Sequence, residues 1–167
     1  MELFPLCVNI EDKCFLVIGS GRVAQEKIDS MSRFSVRIVQ RAEFFESDLD
    51  DADYVIGATS DSSINSRIYE CCISRGIPVN IVDDAQKCTF VMPAMVKRGD
   101  LCVSITTGGK SPAYAARLRS QIEESLPDNI EDILDEMGRL RAVAKEKYSR
   151  QQERRAFFMR ELDRLLS

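Results

Sequence analysis

The stretch Lys13-Cys14-Phe15-Leu16-Val17-Ile18-Gly19-Ser20-Gly21-Arg22-Val23-Ala24 decides the fold. Its first half is a short apolar run, which is typical of a strand buried on both faces of a parallel sheet. The glycines allow a sharp turn, and the residues from Val23 to about Arg33 have the pattern of a helix. Because Val36-Arg37-Ile38-Val39 supplies a second apolar run, this part of the chain predicts a strand, a turn, a helix and a second strand.

The glycine spacing matches G-x-G-x-x-A, a pattern that binds a dinucleotide pyrophosphate where it joins a strand to a helix. In that arrangement Gly19 permits the turn, Gly21 lets the backbone approach a phosphate, and Ala24 allows close packing of the helix on the strand. The helix N-terminus then faces the anion. We therefore predict NAD as the cofactor, with contacts from Gly19, Ser20, Gly21, Arg22 and Val23. The alternative is a glycine turn without a ligand.

An acidic residue about 20 positions after such a turn usually binds the adenosine ribose. Here that window contains Val39, Gln40 and Arg41, and none of them carries a carboxylate. We predict that Gln40 and Arg41 contact the cofactor, with Arg41 either tolerating a phosphate or facing solvent. The spacing leaves the choice between NAD and NADP open.

Strands and helices continue to alternate after this unit, as in a doubly wound α/β fold with a parallel sheet. Asp53–Thr59 predicts a strand. A helix with Asp61 or Ser62 as its N-cap then runs to Arg75, where Gly76 stops it.

The next predicted strand, Ile77–Val82, ends at the adjacent carboxylates Asp83 and Asp84. Ligands of open α/β sheets bind at the carboxyl ends of the strands, so a carboxylate here is a candidate for proton transfer beside a cofactor. Thr59 and Ser60, at the end of the preceding strand, are predicted cofactor contacts. The alternative for the two aspartates is a turn or capping pair.

The second half of the chain has a different pattern. Cys88–Met92 and Leu101–Thr106 are β-rich, and the chain becomes helical from Ser111, a candidate N-cap followed by Pro112 in the first turn. Pro127-Asp128 marks a break before a charged helical tail. The predicted domains are a Rossmann-like domain over residues 1–92, a small α+β segment over 93–126 and a helical domain over 127–167.

The loop Thr106-Thr107-Gly108-Gly109-Lys110-Ser111-Pro112 combines backbone N–H groups, hydroxyls and one amine ahead of a helix. Such a loop is a candidate anion-binding nest. A loop that only starts a helix is the alternative.

Composition argues against several classes of function. The formal net charge of −4 argues against a general nucleic-acid binder, and no apolar run approaches the roughly 20 residues that a membrane span needs. The six cysteines lack C-x-x-C spacing, so we expect reduced, mostly buried thiols and a cytoplasmic protein. Histidine, the commonest metal ligand and general base, is absent, and no metal site is predicted.

Six ordered motifs together resemble one family, the siroheme synthase N-terminal module (precorrin-2 dehydrogenase/sirohydrochlorin ferrochelatase). They are Phe4–Ile10, Leu16–Lys27, Ile56–Asp61, Val79–Asp84, Thr89–Ala94 and Thr106–Pro112, and Glu153–Phe158 resembles the family's ending. The resemblance covers nearly the whole chain. It implies a Rossmann domain, a small dimerisation segment and a helical C-terminal domain, assembled as a homodimer.

The resemblance also implies a reaction. Precorrin-2, a reduced tetrapyrrole with many carboxylates, loses a hydride to NAD and a proton to give sirohydrochlorin in siroheme biosynthesis. Asp83 is the implied catalytic residue. A polycarboxylate should bind basic residues through charge-assisted hydrogen bonds, unless these are solvated surface charges. The predicted substrate contacts are Thr107, Gly108, Gly109, Lys110, Ser111 and Arg117, with Lys97, Arg98 and Arg119 as further cations.

Two other functions stay open at this stage. One is a chelatase that inserts Fe²⁺ or Co²⁺ into sirohydrochlorin, against which the absence of histidine weighs modestly. The other is a non-catalytic protein that binds a tetrapyrrole.

One stretch departs from the family pattern. Val39 and Asp53 are joined by a short charged link, where family members usually carry another strand and a crossover helix. We therefore expect the adenosine-side edge of the sheet to be reduced, and the binding of NAD to be weaker there or completed differently.

Overall fold

The computed structural model describes residues 2–167, which form two compact units. The first unit ends at Met92, and the second is Pro93–Ser167. Each has its own sheet, of four strands in the first unit and two in the second. The predicted boundary between residues 126 and 127 lies inside the second unit, and the division into three domains stays a prediction.

The first unit contains the predicted α/β architecture with a parallel sheet. Its strands lie in the order β2-β1-β3-β4, and every pairing is parallel. Two helices, α1 and α2, connect β1 to β2 and β3 to β4. The bounds are β1 (Cys14–Ile18), α1 (Arg22–Met31), β2 (Arg37–Arg41), β3 (Tyr54–Gly57), α2 (Ser62–Arg75) and β4 (Val79–Ile81).

Both faces of this sheet are buried, as the apolar runs predict. On one face, Leu16 packs in a cluster with Leu49 and Ile68 of α2. On the other face, Val17 packs in a cluster with Ala24 of α1. Each fully buried Leu, Ile or Val side chain contributes about 1.5–3 kcal/mol relative to exposure. Successive side chains of β1 therefore pack on opposite faces of the sheet, and their burial holds the strand between the two helices.

The connection between β2 and β3, residues 42–53, is called here the β2–β3 link. It holds one short 3₁₀ helix, Glu46–Leu49, whose Leu49 is buried against the sheet. Because the link adds no strand, β2 is the outermost strand on its side. This agrees with the expected reduction of that edge.

Helix α2 begins and ends where the sequence predicts. The Asp61 carboxylate accepts hydrogen bonds from the backbone N–H groups of Ser63 at 2.8 Å and Ile64 at 3.3 Å. Hydrogen bonds from the Ser63 hydroxyl and from these N–H groups hold the pKa of Asp61 below its usual value. Gly76 ends the helix in the left-handed conformation, with φ 69°.

The predicted strand at Cys88–Met92 is wrong. Only one isolated bridge, between Asn80 and Cys88, joins this stretch to β4. Besides one backbone bond, from the Thr89 N–H to the Val79 carbonyl at 2.8 Å, the two segments are joined by side chains. The Asn80 amide donates to the Phe90 carbonyl at 3.0 Å, and the Thr89 hydroxyl accepts from the Val79 N–H at 2.8 Å. The segment therefore follows β4 without becoming a fifth strand.

The second unit pairs a β-hairpin with three helices. Its bounds are β5 (Ala94–Arg98), β6 (Leu101–Ile105), α3 (Pro112–Ser125), α4 (Ile130–Lys147) and α5 (Gln151–Leu166). The predicted strand at 101–106 and the break at Pro127 are confirmed, and Val96 is fully buried. Ser111 caps α3 by accepting from the Tyr114 N–H at 3.2 Å, as predicted. Among residues 2–167 no helix is long and apolar enough to cross a bilayer.

All six cysteines are free, but the expectation that most are buried is wrong. Cys14 and Cys72 are buried, while Cys7 and Cys102 are exposed. Burial raises the pKa of Cys72 to about 12. Cys102 is exposed because it lies on the outer face of β6, where exposure alternates along the strand.

Candidate active site

The glycine turn, residues 19–21, lies between two strands in a place where only glycine fits. Gly19 has φ 132°, and a Cβ added there would lie 2.4 Å from the carbonyl oxygen of Ala58. Its N–H donates to the carbonyl of Arg41 at 2.8 Å. The turn is therefore hydrogen-bonded to the end of β2 and packs closely against the residue that follows β3.

Helix α1 presents its N-terminus at this turn without a side-chain cap. Gly21 is the N-cap residue, no side chain bonds the first-turn N–H groups, and the first turn holds no acidic residue. A Cβ added at Gly21 would meet no atom within 4 Å. The first N–H groups of a helix lack partners within the helix and attract anions. The uncapped turn and the open space at Gly21 therefore fit a dinucleotide pyrophosphate.

The end of β3 supplies Thr59 and Ser60, which are fastened by a side chain of α2. The Asn65 amide oxygen accepts from the Thr59 N–H at 3.3 Å and from the Thr59 hydroxyl at 2.9 Å. The Asn65 amide nitrogen donates to the Thr59 carbonyl at 3.0 Å. One side chain thus bonds both backbone groups of Thr59 and fixes the loop after β3.

The two adjacent aspartates that follow β4, Asp83 and Asp84, differ in their contacts and in their backbone conformation. Asp84 caps a short 3₁₀ helix and forms a 3.0 Å ion pair with Lys87, which holds the pKa of Asp84 below its usual value. Asp83 has a left-handed backbone with φ 62°, a region that is sparsely populated outside glycine but tolerated by Asp. Its carboxylate forms no hydrogen bond or ion pair with residues 2–167. The capping interpretation therefore applies to Asp84 and not to Asp83.

These strand ends enclose a cleft of about 480 Å³. Eight of the predicted site residues line this cleft: Gly19, Ser20, Gly21, Arg22, Val23, Thr59, Ser60 and Asp83. Sequence reasoning missed Ala42, Ala58 and Val82, which complete the lining. Their signal was positional, because each directly follows the last residue of a strand.

Gln40 and Arg41, the two predicted contacts on β2, do not line the cleft. The Gln40 amide donates to the Gly19 carbonyl at 2.9 Å, so Gln40 supports the turn from behind. Arg41 lies on the same face of β2 as Val39 and forms a 3.3 Å ion pair with Asp48 of the β2–β3 link. Alternation along the strand directs these two side chains to opposite faces, and Ala42 reaches the cleft in their place.

The predicted substrate residues lie in the second unit, on the loop between β6 and α3 and on α3 itself. Gly108 and Gly109 are both left-handed, with φ 62° and 82°. The Thr107 hydroxyl accepts from the Ser111 N–H at 3.0 Å, which closes the loop. Lys110 and Arg117 are exposed. Their contact with a substrate stays a prediction.

Two other predicted cations, Lys97 and Arg119, are only partly exposed and bond to neighbouring residues. Lys97 donates to the carbonyl of Gly99, and Arg119 pairs with Glu123 one turn along α3. Among residues 2–167 no group of three or more Cys, Asp or Glu side chains is placed to hold a metal ion.

Comparison with known families gives two matches along the chain. Residues 6–94 match a family described as putative NAD(P)-binding. Residues 98–125 match the central segment of sirohaem biosynthesis proteins. The first match contains every residue of the cleft.

Curated relatives and a solved structure are similar over nearly the whole chain. Siroheme synthase 1 of Yersinia enterocolitica is 31% identical over 95% of this chain, and the siroheme synthase of Nitrosomonas europaea is 31% identical over 97%. The chain spans only 38% and 39% of those proteins. A solved structure of SirC, precorrin-2 dehydrogenase, superposes with a TM-score of 0.71 at 17% identity, covering 95% of this chain and 88% of that one. The last likeness establishes the fold.

Proposed function

Because the chain belongs to the putative NAD(P)-binding family and continues into a segment of the sirohaem biosynthesis type, we propose that it is an NAD-dependent precorrin-2 dehydrogenase. The observation that carries the proposal is the cleft in which Asp83 shares one sheet edge with the glycine turn and the N-terminus of α1. The relatives named siroheme synthase and the SirC fold support the same pathway.

The residues of the first unit would hold the cofactor by backbone groups. The uncapped first turn of α1 and the open space at Gly21 would receive the pyrophosphate, and Thr59 and Ser60 would border the dinucleotide at the end of β3. When bound, NAD supplies the acceptor for a hydride. The atoms balance, because precorrin-2 loses one hydride and one proton to become sirohydrochlorin.

Asp83 is the residue that would take the proton. Its carboxylate is exposed to the cleft, and it has no ion pair to a neighbouring cation, unlike Asp84. A carboxylate that is not engaged in structure can accept a proton and pass it to solvent. Asp83 would therefore act as a general base beside the hydride acceptor.

The decisive experiment is an anaerobic spectral assay with precorrin-2 and NAD, run with and without Co²⁺. We expect NADH to form together with sirohydrochlorin in the absence of metal. Metal insertion without NADH formation would favour the chelatase instead, and binding of precorrin-2 without either product would favour a non-catalytic tetrapyrrole-binding protein.

Cofactor binding can be tested separately by calorimetry. Gly21→Asp places a carboxylate where the pyrophosphate would lie, and should weaken NAD binding at least tenfold. Gln152→Asp adds the same charge at an exposed position of α5 and should leave binding unchanged. Equal NAD affinity in both variants would contradict the assignment of the cleft.

We also propose that the protein is a homodimer and works in the cytoplasm. Among the described residues β5 and β6 pair only with each other, so the outer edge of each strand has no ladder partner and would pair with a second copy. The six free cysteines support a reducing compartment. Analytical ultracentrifugation tests the dimer, and a single species at the monomer mass of 18.9 kDa would contradict it.

A further inference from the structure

Asp83 lies in a tight turn at the end of β4. We call residues 81–84 the Asp83 turn. The Asp84 N–H donates to the Ile81 carbonyl at 3.3 Å, which closes the turn. A residue other than glycine keeps a left-handed backbone such as that of Asp83 only where its surroundings hold it there. Because no hydrogen bond or ion pair within residues 2–167 holds the Asp83 carboxylate, its direction depends on the backbone of this turn.

The half-buried thiol of Cys88 bonds the Asp83 turn on both sides of Asp83. Its sulfur lies 3.3 Å from the carbonyl oxygen of Ile81 and 3.2 Å from that of Asp84. The thiol carries one proton, which these two carbonyls share. Burial raises the pKa of Cys88 above its usual value, so the thiol keeps this proton at neutral pH and can donate it.

The sulfur of Cys88 is itself held by a buried residue of β4. The amide nitrogen of Asn80 donates to the sulfur at 3.4 Å and to the Phe90 carbonyl at 3.0 Å. Asn80 is only 7% exposed. The amide and the thiol therefore connect the interior of β4 to the turn in which the strand ends.

We propose that Cys88 is a positioning residue, whose thiol holds the left-handed Asp83 turn and so keeps the Asp83 carboxylate directed into the cleft. The proposal rests on the proposed function, since it takes Asp83 as the general base. A misplacement of about 1 Å can lower the rate of a reaction about 100-fold. Because Cys88 does not line the cleft, its loss should affect the proton transfer and not the binding of NAD.

Steady-state kinetics of NADH formation from precorrin-2 test this role. Cys88→Ala removes the thiol and should lower kcat about tenfold or more, while the KM for precorrin-2 and the Kd for NAD stay within about twofold. Cys88→Ser keeps a hydrogen-bond donor and should recover most of the rate. Wild-type kcat in Cys88→Ala would overturn the proposal.

Cys71→Ala is the matched control for the loss of a packed thiol. Cys71 is also half-buried, packs against the core on α2 and does not line the cleft. Its replacement should leave kcat unchanged. An equal loss of kcat in Cys71→Ala and Cys88→Ala would assign the effect to packing and overturn the positioning role.

A double-mutant cycle tests whether Cys88 acts through Asp83. In an Asp83→Asn background, Cys88→Ala should lower the residual rate by less than about twofold, because its effect passes through the missing carboxylate. A tenfold loss in both backgrounds would show that the thiol acts on the unit as a whole. That result would overturn the proposal.

Amide hydrogen exchange measured by NMR tests the turn without any turnover. The Asp84 and Lys87 N–H groups donate to the same two carbonyls as the thiol, at 3.3 and 3.0 Å. In Cys88→Ala both amides should exchange severalfold faster, while the amides of α1 keep their rates. Unchanged exchange would overturn the proposal whatever the activity.

The outcomes separate this proposal from the proposed function. NADH formation by the wild type, together with wild-type kcat in Cys88→Ala, would overturn the role of Cys88 and leave the dehydrogenase standing. A wild type that forms no NADH would overturn the proposed function and the positioning role with it, and faster exchange in Cys88→Ala would then establish only that the thiol bonds the turn.

Discussion

Replacing Gly19 by alanine should destabilise the first unit severely. The added Cβ would lie 2.4 Å from the carbonyl oxygen of Ala58 and 2.8 Å from its carbonyl carbon. These are backbone atoms at the end of a central strand, and they cannot move aside as a flexible side chain would. The backbone at φ 132° is in addition a conformation that L residues rarely adopt.

The two effects can be estimated separately. Forcing an L residue into a sparsely populated backbone region costs about 1–3 kcal/mol. Overpacking a close contact costs about another 1–3 kcal/mol. The sum, roughly 2–6 kcal/mol, is a large part of the 5–15 kcal/mol by which a typical domain is stable.

Gly21→Ala is the matched comparison, because Gly21 has φ −80° and open space around its Cβ position. It should change the free energy of unfolding by less than about 1 kcal/mol, since the weaker N-cap and the stiffer unfolded chain partly cancel. Urea unfolding followed by far-ultraviolet circular dichroism measures both variants. Wild-type stability in Gly19→Ala would refute the close approach of the turn to β3.

Three further changes probe the proposed general base, the loop after β3 and the pH dependence of stability. Asp83→Asn should lower the rate of NADH formation about 100-fold or more while the NAD dissociation constant stays within twofold, and an unchanged rate would place the base elsewhere. Asn65→Ala removes three hydrogen bonds and should lower the free energy of unfolding by about 1–3 kcal/mol in urea titrations; no loss would contradict the fastening of Thr59. The Cys14 N–H and the Lys13 ammonium hold the pKa of Asp53 below its usual value, so its stabilisation is present above about pH 4 and is lost as the pH falls through the folded pKa. Asp53→Asn should accordingly flatten the acid side of the stability curve, measured by urea midpoints between pH 2 and pH 5.

The sequence predicts the first unit well because its signals are local. An apolar run followed by Gly19 and Gly21 admits few structures, and an N-cap such as Asp61 marks a helix start within one turn. Cys88–Met92 has the same apolar appearance as a strand, yet it is not one. What decides its structure is the buried Asn80 amide, and no local pattern shows that this side chain will bond the Phe90 carbonyl.

The site was predictable in part for a related reason. Residues one or two positions beyond a strand, such as Thr59 and Asp83, meet at one sheet edge once the strands are known to be parallel. Which residue β2 contributes to the cleft depends instead on where the strand ends. The apolar run ends at Val39, but the strand continues to Arg41. Because β2 ends at Arg41, the residue at the sheet edge that lines the cleft is Ala42, and not Gln40 or Arg41.

The short β2–β3 link leaves β2 as an edge strand. The hydrogen bonds around β2 explain why the glycine turn keeps its place beside the cleft. Exposed edges invite pairing with other chains, and charged side chains counter this. Here Arg37 donates to the Asp51 carbonyl at 3.2 Å and Arg41 pairs with Asp48, so two charged side chains of β2 are bonded to the link. The Gly19 N–H and the Gln40 amide meanwhile bond the turn to β2 from both directions. Since the turn is held by β2 rather than by any strand beyond it, the glycine turn and the N-terminus of α1 keep their positions although β2 is the outermost strand.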